Sequence, residues 1–349
     1  MNFEEGGNLN LDVVGGKDFA ALMKRKDITE IYVNDDGRLW YQSIKGKTRT
    51  PFYMKPETVR AVIEYVTGEA GKVVNSDIPS ISTEIKGYGY RFQGELPPIV
   101  RNPQFNIRKK ATKIFTFDEY ISTNMLTVGY RNYLDKAIAD RKNILVIGGT
   151  GTGKTTFLNA VLDAIAKISP AHRIITLEDL PELQCSADDY SPMFTMQETV
   201  GDKRFVYDMT MLLKDCMRRS PDRIVVGEVR DGAAYTMLKA WNTGHPGGAC
   251  TVHADNAELG LLRIESLALE DKTAPTNIAV LRTLIGQAIN VAVSIGHKFV
   301  ESVDEQGKPV VLKTREVTEM IEIHGYNSLK DKYMIKTIRP DGTVEDKEE

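Results

Sequence analysis

The chain has 349 residues, enough for about two domains at the usual ~150 residues each. Its 42% hydrophobic and 27% charged residues exclude a disordered or fibrous chain. The net charge of −3 supplies no field to drive it onto nucleic acid, and its three cysteines form no Cys-x-x-Cys pair, which excludes a disulfide framework and a cysteine-based zinc knuckle.

The chain opens Met1-Asn2-Phe3-Glu4-Glu5, without the basic region of a signal peptide, and no apolar run approaches the ~18–20 residues that span a bilayer. Both observations predict a cytosolic protein. Glu30-Ile31-Tyr32-Val33 and Leu39-Trp40-Tyr41 flank Asn34-Asp35-Asp36-Gly37, a hairpin signal. Val59, Val62, Ile63 and Val66 recur at helical spacing between Pro56 and Gly68 and predict an amphipathic helix. Residues 81 to 93 alternate as strand, Pro97-Pro98 breaks the pattern, and a further extended piece ends at Arg108-Lys109-Lys110. Residues 1–110 thus predict a small α+β domain, followed by a basic, exposed connector within a linker over 111–125.

Beyond the linker the rhythm changes. Apolar runs at 144–147, 174–177, 224–226, 249–252 and 291–295 alternate with helical patterns, one of them Phe205, Met209, Leu212, Leu213 and Cys216. Strand alternating with helix predicts an α/β domain over 126–300 with a mostly parallel sheet covered on both faces. Asp304-Glu305-Gln306-Gly307-Lys308-Pro309 then reads as the turn of a hairpin, inside a C-terminal extension (301–349) whose end, from Asp341, is polar and expected to fray.

Gly148-Gly149-Thr150-Gly151-Thr152-Gly153-Lys154-Thr155 satisfies G-x4-G-K-[ST]. Glycines in such a loop turn backbone N–H groups inward around phosphate oxygens; Lys154 reaches the β- and γ-phosphates and the Thr155 hydroxyl ligates Mg²⁺. The motif follows an apolar strand and opens a helix from Thr156, whose N-terminal dipole also faces the anion. ATP and Mg²⁺ are the cofactors this predicts.

Ligands of open α/β sheets sit beyond the carboxyl ends of the strands. Three strands here end in apt groups: Glu178-Asp179, Glu228-Val229-Arg230 and His253. Glu228 suits the carboxylate that holds the hydrated magnesium ion, and Glu178 the one that orients the attacking water. His253 is placed to sense the γ-phosphate. Structural readings compete with each: Glu178 and Asp179 as caps of a following turn, Glu228 as a helix-entry carboxylate, His253 as a packed or hydrogen-bonded imidazole. His245, beside Gly247-Gly248, reads as part of a turn, and a metal site pairing it with His253 lacks a ligand cluster. Phosphate-loop sites commonly take an arginine from a neighbouring subunit. Arg91, Arg101, Arg108, Arg204, Arg218 and Arg230 are all available for that role or for surface ion pairs.

The phosphate loop, Thr176-Leu177-Glu178-Asp179, Gly227-Glu228-Val229-Arg230 and the run from Thr243 to Ala254, in that order, resemble the Walker A, Asp, Walker B and His boxes of the secretion-superfamily traffic ATPases. The stretch Lys239-Ala240-Trp241-Asn242-Thr243-Gly244-His245-Pro246-Gly247 is most similar to the conjugal-transfer (TrbB-type) ATPases of type IV secretion systems. The resemblance implies a RecA-like ATPase domain preceded by a PAS-like domain, with nucleotide bound between them. It also implies a homohexameric ring at the cytoplasmic face of the inner membrane, with peripheral membrane contact and inner-membrane machine components as partners. Lys154, Thr155, Glu178, Glu228 and His253 match the family's functional residues, and Arg101 and Arg108 look like its N-domain nucleotide arginines.

The predicted activity is therefore ATP hydrolysis driving pilus assembly or substrate export. Type IV pilus and type II secretion ATPases share these boxes, although the type II enzymes usually carry a tetracysteine zinc module. A RecA-like nucleic-acid translocase is disfavoured by the charge balance and by the lack of a basic, aromatic-interleaved stripe, so no direct specific nucleic-acid binding is expected. A nucleotide-gated scaffold with negligible turnover is the third alternative.

Overall fold

The computed structural model describes residues 9–43, 46–110, 114–200, 203–303 and 309–346. The chain divides into two compact units, Met1–Lys113 and Ile114–Glu349.

The first unit runs α1 (Leu9–Gly15), α2 (Lys17–Lys24), β1 (Ile28–Val33), β2 (Arg38–Ser43), β3 (Gly46–Tyr53), α3 (Pro56–Glu69), β4 (Ser80–Ile85), β5 (Tyr90–Glu95) and β6 (Gln104–Arg108). Its six strands pair antiparallel in the order β3-β2-β1-β6-β5-β4. The predicted hairpin is β1–β2, and the predicted helix is α3, with Pro56 in its first turn and Val59, Val62, Ile63 and Val66 buried. Those side chains meet Ile31, Phe92, Phe105 and Ile107 from one face of the sheet, and Leu11, Phe19, Leu22 and Met23 from α1 and α2. Residues 111–113 of the basic connector lie outside the described residues.

The second unit begins with α4 (Phe117–Ser122) and α5 (Val128–Ala139), then β7 (Ile144–Ile147), α6 (Lys154–Ile168), β8 (Ile174–Glu178), β9 (Tyr190–Phe194), β10 (Met196–Val200), β11 (Lys203–Tyr207) and α7 (Met209–Cys216). It continues with β12 (Arg223–Val226), α8 (Ala233–Asn242), β13 (Ala249–Val252), α9 (Ala257–Ala268), α10 (Ile278–Ala288), β14 (Val291–Val303), β15 (Pro309–Asn327), β16 (Lys332–Ile338) and β17 (Val344–Asp346). A capping box between Thr116 and Glu119 starts α4 inside the segment read as a linker.

Nine strands form one sheet in the order β17-β16-β15-β14-β7-β13-β12-β8-β9. From β14 to β9 every neighbouring pair is parallel; β15, β16 and β17 add antiparallel. The sheet is thus mixed, mostly parallel. Strand alternation divides the core between its faces: Ile144 and Val146 pack with α4–α6, whereas Leu145 and Ile147 pack with α7–α10. Met320, Ile321, Ile323 and Ile338, from β15 and β16, are buried in these same two cores.

Two local readings change. Phe205 lies in the β10–β11 hairpin rather than in a helix, because the Asp208 side chain accepts from the Met211 N–H and starts α7 at Met209. The polar end is ordered through Asp346, where Asp341 caps the turn at Thr343 and β17 pairs with β16. The turn residues 304–308 lie outside the described residues, and the strands that flank them pair antiparallel.

Candidate functional site

β7 ends at Ile147, and residues 148–153 turn the chain into α6. Gly151 (φ 75°) and Gly153 (φ 98°) hold left-handed backbone, which side chains bearing a Cβ adopt only at a cost. That curl lets the Gly149 carbonyl accept from both Thr152 Oγ1 (3.0 Å) and Lys154 Nζ (3.0 Å), so the lysine is folded over its own loop. Gly148 is buried beneath the loop, while Thr150 and Gly151 are exposed and Thr155 and Thr156 half-buried in the first turn of α6.

Lys154 is 7% exposed, and its Nζ lies 3.2 Å from Nδ1 and 3.3 Å from Nε2 of His253, just past the end of β13. His253 Nε2 in turn lies 2.9 Å from Glu228 Oε1, past the end of β12. Nδ1 is placed to accept from the ammonium, whereas Nε2 and Glu228 Oε1 approach closely without hydrogen-bond geometry, which leaves that buried oxygen without a donor among the described residues. Burial and the Lys154 charge hold the His253 pKa below its ordinary value, against the raising influence of Glu228. The ring is therefore neutral at neutral pH.

Glu228 Oε2 accepts from Arg230 Nε (2.8 Å) and Nη2 (2.5 Å), while Arg230 Nη1 reaches Asp179 Oδ2 (3.0 Å). The path Lys154–His253–Glu228–Arg230–Asp179 thus crosses the carboxyl ends of adjacent strands. Glu178, at the end of β8, is 3% exposed and lies beside Gly227, where a Cβ would come 3.3 Å from Glu178 Cγ. Its Oε2 accepts from the N–H groups of Glu182 (2.8 Å) and Leu183 (2.7 Å) and so caps the following turn, as one of its two readings anticipated.

Among the arginines, Arg230 spends its guanidinium inside its own chain, a role that the close spacing of Glu228 and Arg230 after an apolar strand could have signalled. Arg218 lies 3.6 Å from Asp215 on the neighbouring helical turn. Arg101 and Arg108 are exposed residues of the first unit, with Arg108 Nε 3.9 Å from Glu30. Sequence reasoning missed Arg263 of α9, whose charge bears on His253, and Arg315 of β15, which lies against Gly153. Neither belongs to a motif.

The run around His245 lies at the opposite ends of these strands. A His245 ring nitrogen sits 3.1 Å from the Pro221 carbonyl, and Asn143 Oδ1 accepts from the N–H groups of Gly247 (2.7 Å) and Gly248 (2.8 Å). A Cβ on Gly248 would lie 2.2 Å from Trp241 Nε1, so the tryptophan of α8 requires a glycine there. This motif locks α8 to β13.

Residues 74–336 match the family model described as type II/IV secretion system protein. The conjugal transfer protein TrbB of Rhizobium radiobacter is 38% identical over 313 residues, covering 90% of this chain and 89% of its own. The type IV secretion system protein PtlH of Bordetella pertussis is 28% identical, covering 78% and 86% respectively. In fold the chain is similar to the ATPase DotB of Legionella pneumophila, with a TM-score of 0.55 at 17% identity over 84% of this chain and 78% of that one. The chain belongs to the type II/IV secretion system protein family and is an ATPase of its conjugal-transfer and type IV secretion kind.

Proposed function

We propose that the protein is a Mg-ATP-driven motor of a conjugative transfer or type IV secretion apparatus, with a RecA-like domain carrying the site and a PAS-like domain before it. The observation that carries the reading is the juxtaposition of Lys154, His253 and Glu228, each from a different strand end, beside a curled glycine loop. Lys154 and the loop N–H groups bind the triphosphate. The half-buried Thr155 hydroxyl and the Glu228 carboxylate form a hard-oxygen donor set suited to magnesium, which retains several waters of its own. When bound, the ion neutralises charge on the phosphates. Glu178 orients the attacking water in this scheme, from a backbone-anchored carboxylate whose placement is fixed before substrate arrives.

His253 is the coupling element. Before nucleotide binds it holds the Lys154 ammonium; phosphate draws the lysine away, and the imidazole is left to Glu228 alone. The family resemblance supports a homohexameric ring at the cytoplasmic face of the inner membrane, with inner-membrane machine components as partners and a peripheral membrane contact. It also supports Arg101 and Arg108 as nucleotide ligands from the first domain. The near-neutral charge favours protein over nucleic-acid partners. Among the described residues, no helix is long and apolar enough to cross a membrane.

The test is turnover by the Lys154→Ala protein. Phosphate release from ATP is expected to fall by at least ~10²-fold, with the circular-dichroism melt within a few degrees of the parent. Turnover at the parent rate would sink the assignment.

A further inference from the structure

α6 is buried along most of its length, through Phe157, Leu158, Ala160, Val161, Leu162 and Ile165. Polar residues nevertheless recur on it at every fourth position, as Thr155, Asn159, Asp163 and Lys167. That spacing sets them one turn apart on a single face of the helix. Thr155 opens the face at the phosphate loop, and Lys167 closes it with an ion pair to Asp163 at 2.7 Å. Asn159 lies between them and is only 3% exposed. An amide buried so deeply costs stability unless both of its ends find partners.

Both ends are partnered, and by the same short turn. Asn159 Oδ1 accepts from the Gln184 N–H at 2.9 Å, and its Nδ2 donates to the Glu182 carbonyl at 3.3 Å. These two backbone groups bracket Leu183, and the N–H groups of Glu182 and Leu183 are the donors that hold Glu178 Oε2. Leu183 itself is 4% exposed and packs in the same core as Phe157 and Leu158 of α6. The amide thus grips the turn that grips the carboxylate. It does so from the helix whose first two residues are Lys154 and Thr155, so one element carries both the phosphate-loop side chains and the clamp on Glu178.

We propose that Asn159 is a positioning residue for ATP hydrolysis, which fixes Glu178 relative to the phosphate site by tying its turn to the phosphate-loop helix. The proposal rests on Glu178 being the carboxylate that orients the attacking water. Asn159 acts through that carboxylate and not on the nucleotide. Its loss keeps the Glu178 side chain but frees the turn beneath it, and a displacement of about 1 Å in a reacting group can cost about 10²-fold in rate.

Single-turnover phosphate release by the full chain, with Mg-ADP affinity measured by calorimetry, tests this. Asn159→Ala is expected to slow release at least ~10-fold with ADP affinity within about twofold of the parent. On a Glu178→Gln background the same substitution is expected to cost less than about twofold further, because the carboxylate it positions is already gone. Hydrogen-exchange mass spectrometry is expected to find residues 180–186 exchanging faster in Asn159→Ala than in the parent. Asn159→Ser, whose hydroxyl is too short to span both partners, is expected to slow release at least ~3-fold, which keeps the test open if the alanine protein does not fold. Unchanged release, unchanged exchange, an equal loss of ADP affinity, or a full additional loss on the Glu178→Gln background overturns the proposal. Glu178→Gln alone separates this from failure of the underlying reading, since hydrolysis at the parent rate in that variant sinks the reading itself.

Discussion

At the scale of single residues, the site is one path of contacts running from Lys154 through His253 and Glu228 to Arg230 and Asp179. His253 is held below the ordinary histidine pKa by burial first and by the Lys154 ammonium second, while Glu228 pulls the other way. The signs follow. Removing the lysine charge raises the His253 pKa, and removing the carboxylate charge lowers it further. Imidazole NMR titration is expected to find His253 titrating below ~6.5 in the parent, moving up in Lys154→Ala and down in Glu228→Gln. If both variants leave it in place, these contacts do not exist in solution. Lys154 could be singled out from the G-x4-G-K-[ST] motif, and Glu228 and His253 because each follows an apolar run, since a strand followed by a helix puts the residues at its end on the ligand edge. The turn-capping by Glu178 was legible as one of two readings. Arg315 was not legible at all: it sits more than 150 positions from the loop it touches, and strand pairing alone brings it there.

At the scale of elements, the glycine-rich run after α8 joins helix, strand and phosphate-loop strand at the end of the sheet opposite the site. Arg223, at the start of β12, is fully buried and donates to His172 Nδ1, Ser169 Oγ and the carbonyls of Ile138 and Gly247. Burial, then the neighbouring Arg141 charge, brings its pKa down to about 10, so it stays protonated at neutral pH. Arg223→Met keeps the bulk and leaves those acceptors without their donor. Chemical denaturation is expected to show a loss of roughly 2–5 kcal/mol, and a loss below ~1 kcal/mol would refute the anchoring role. The parallel strands were predictable because strands buried on both faces read as unbroken apolar runs. The β10–β11 hairpin was not, since Phe205 falls in helical phase with α7 and only the Asp208 cap reveals where the helix begins.

At the scale of the molecule, β15 and β16 complete the sheet rather than trail from it. β14 pairs with β7 on one side and β15 on the other, and Met320, Ile321, Ile323 and Ile338 fill both cores. A chain ending at residue 300 bares one side of β14 and leaves holes in both layers. Such a truncation is expected to be insoluble, or to lose the cooperative thermal transition of the second unit; a soluble, cooperatively melting fragment would contradict the packing. Hydropathy alone hid this, because the polar residues of 301–349 alternate with the buried ones along strands that have one wet face.

The two outermost strands of that sheet carry a consequence for self-association. At one border β9 includes Pro192, which has no N–H to offer a newcomer, and at the other β17 is three residues long and ends in Glu345 and Asp346. Both borders are poor templates for strand addition, one by a missing donor and the other by shortness and negative charge. Copies of this protein are therefore not expected to join through the borders of this nine-stranded sheet, and crowding at high concentration should not extend it into a continuous β-ribbon.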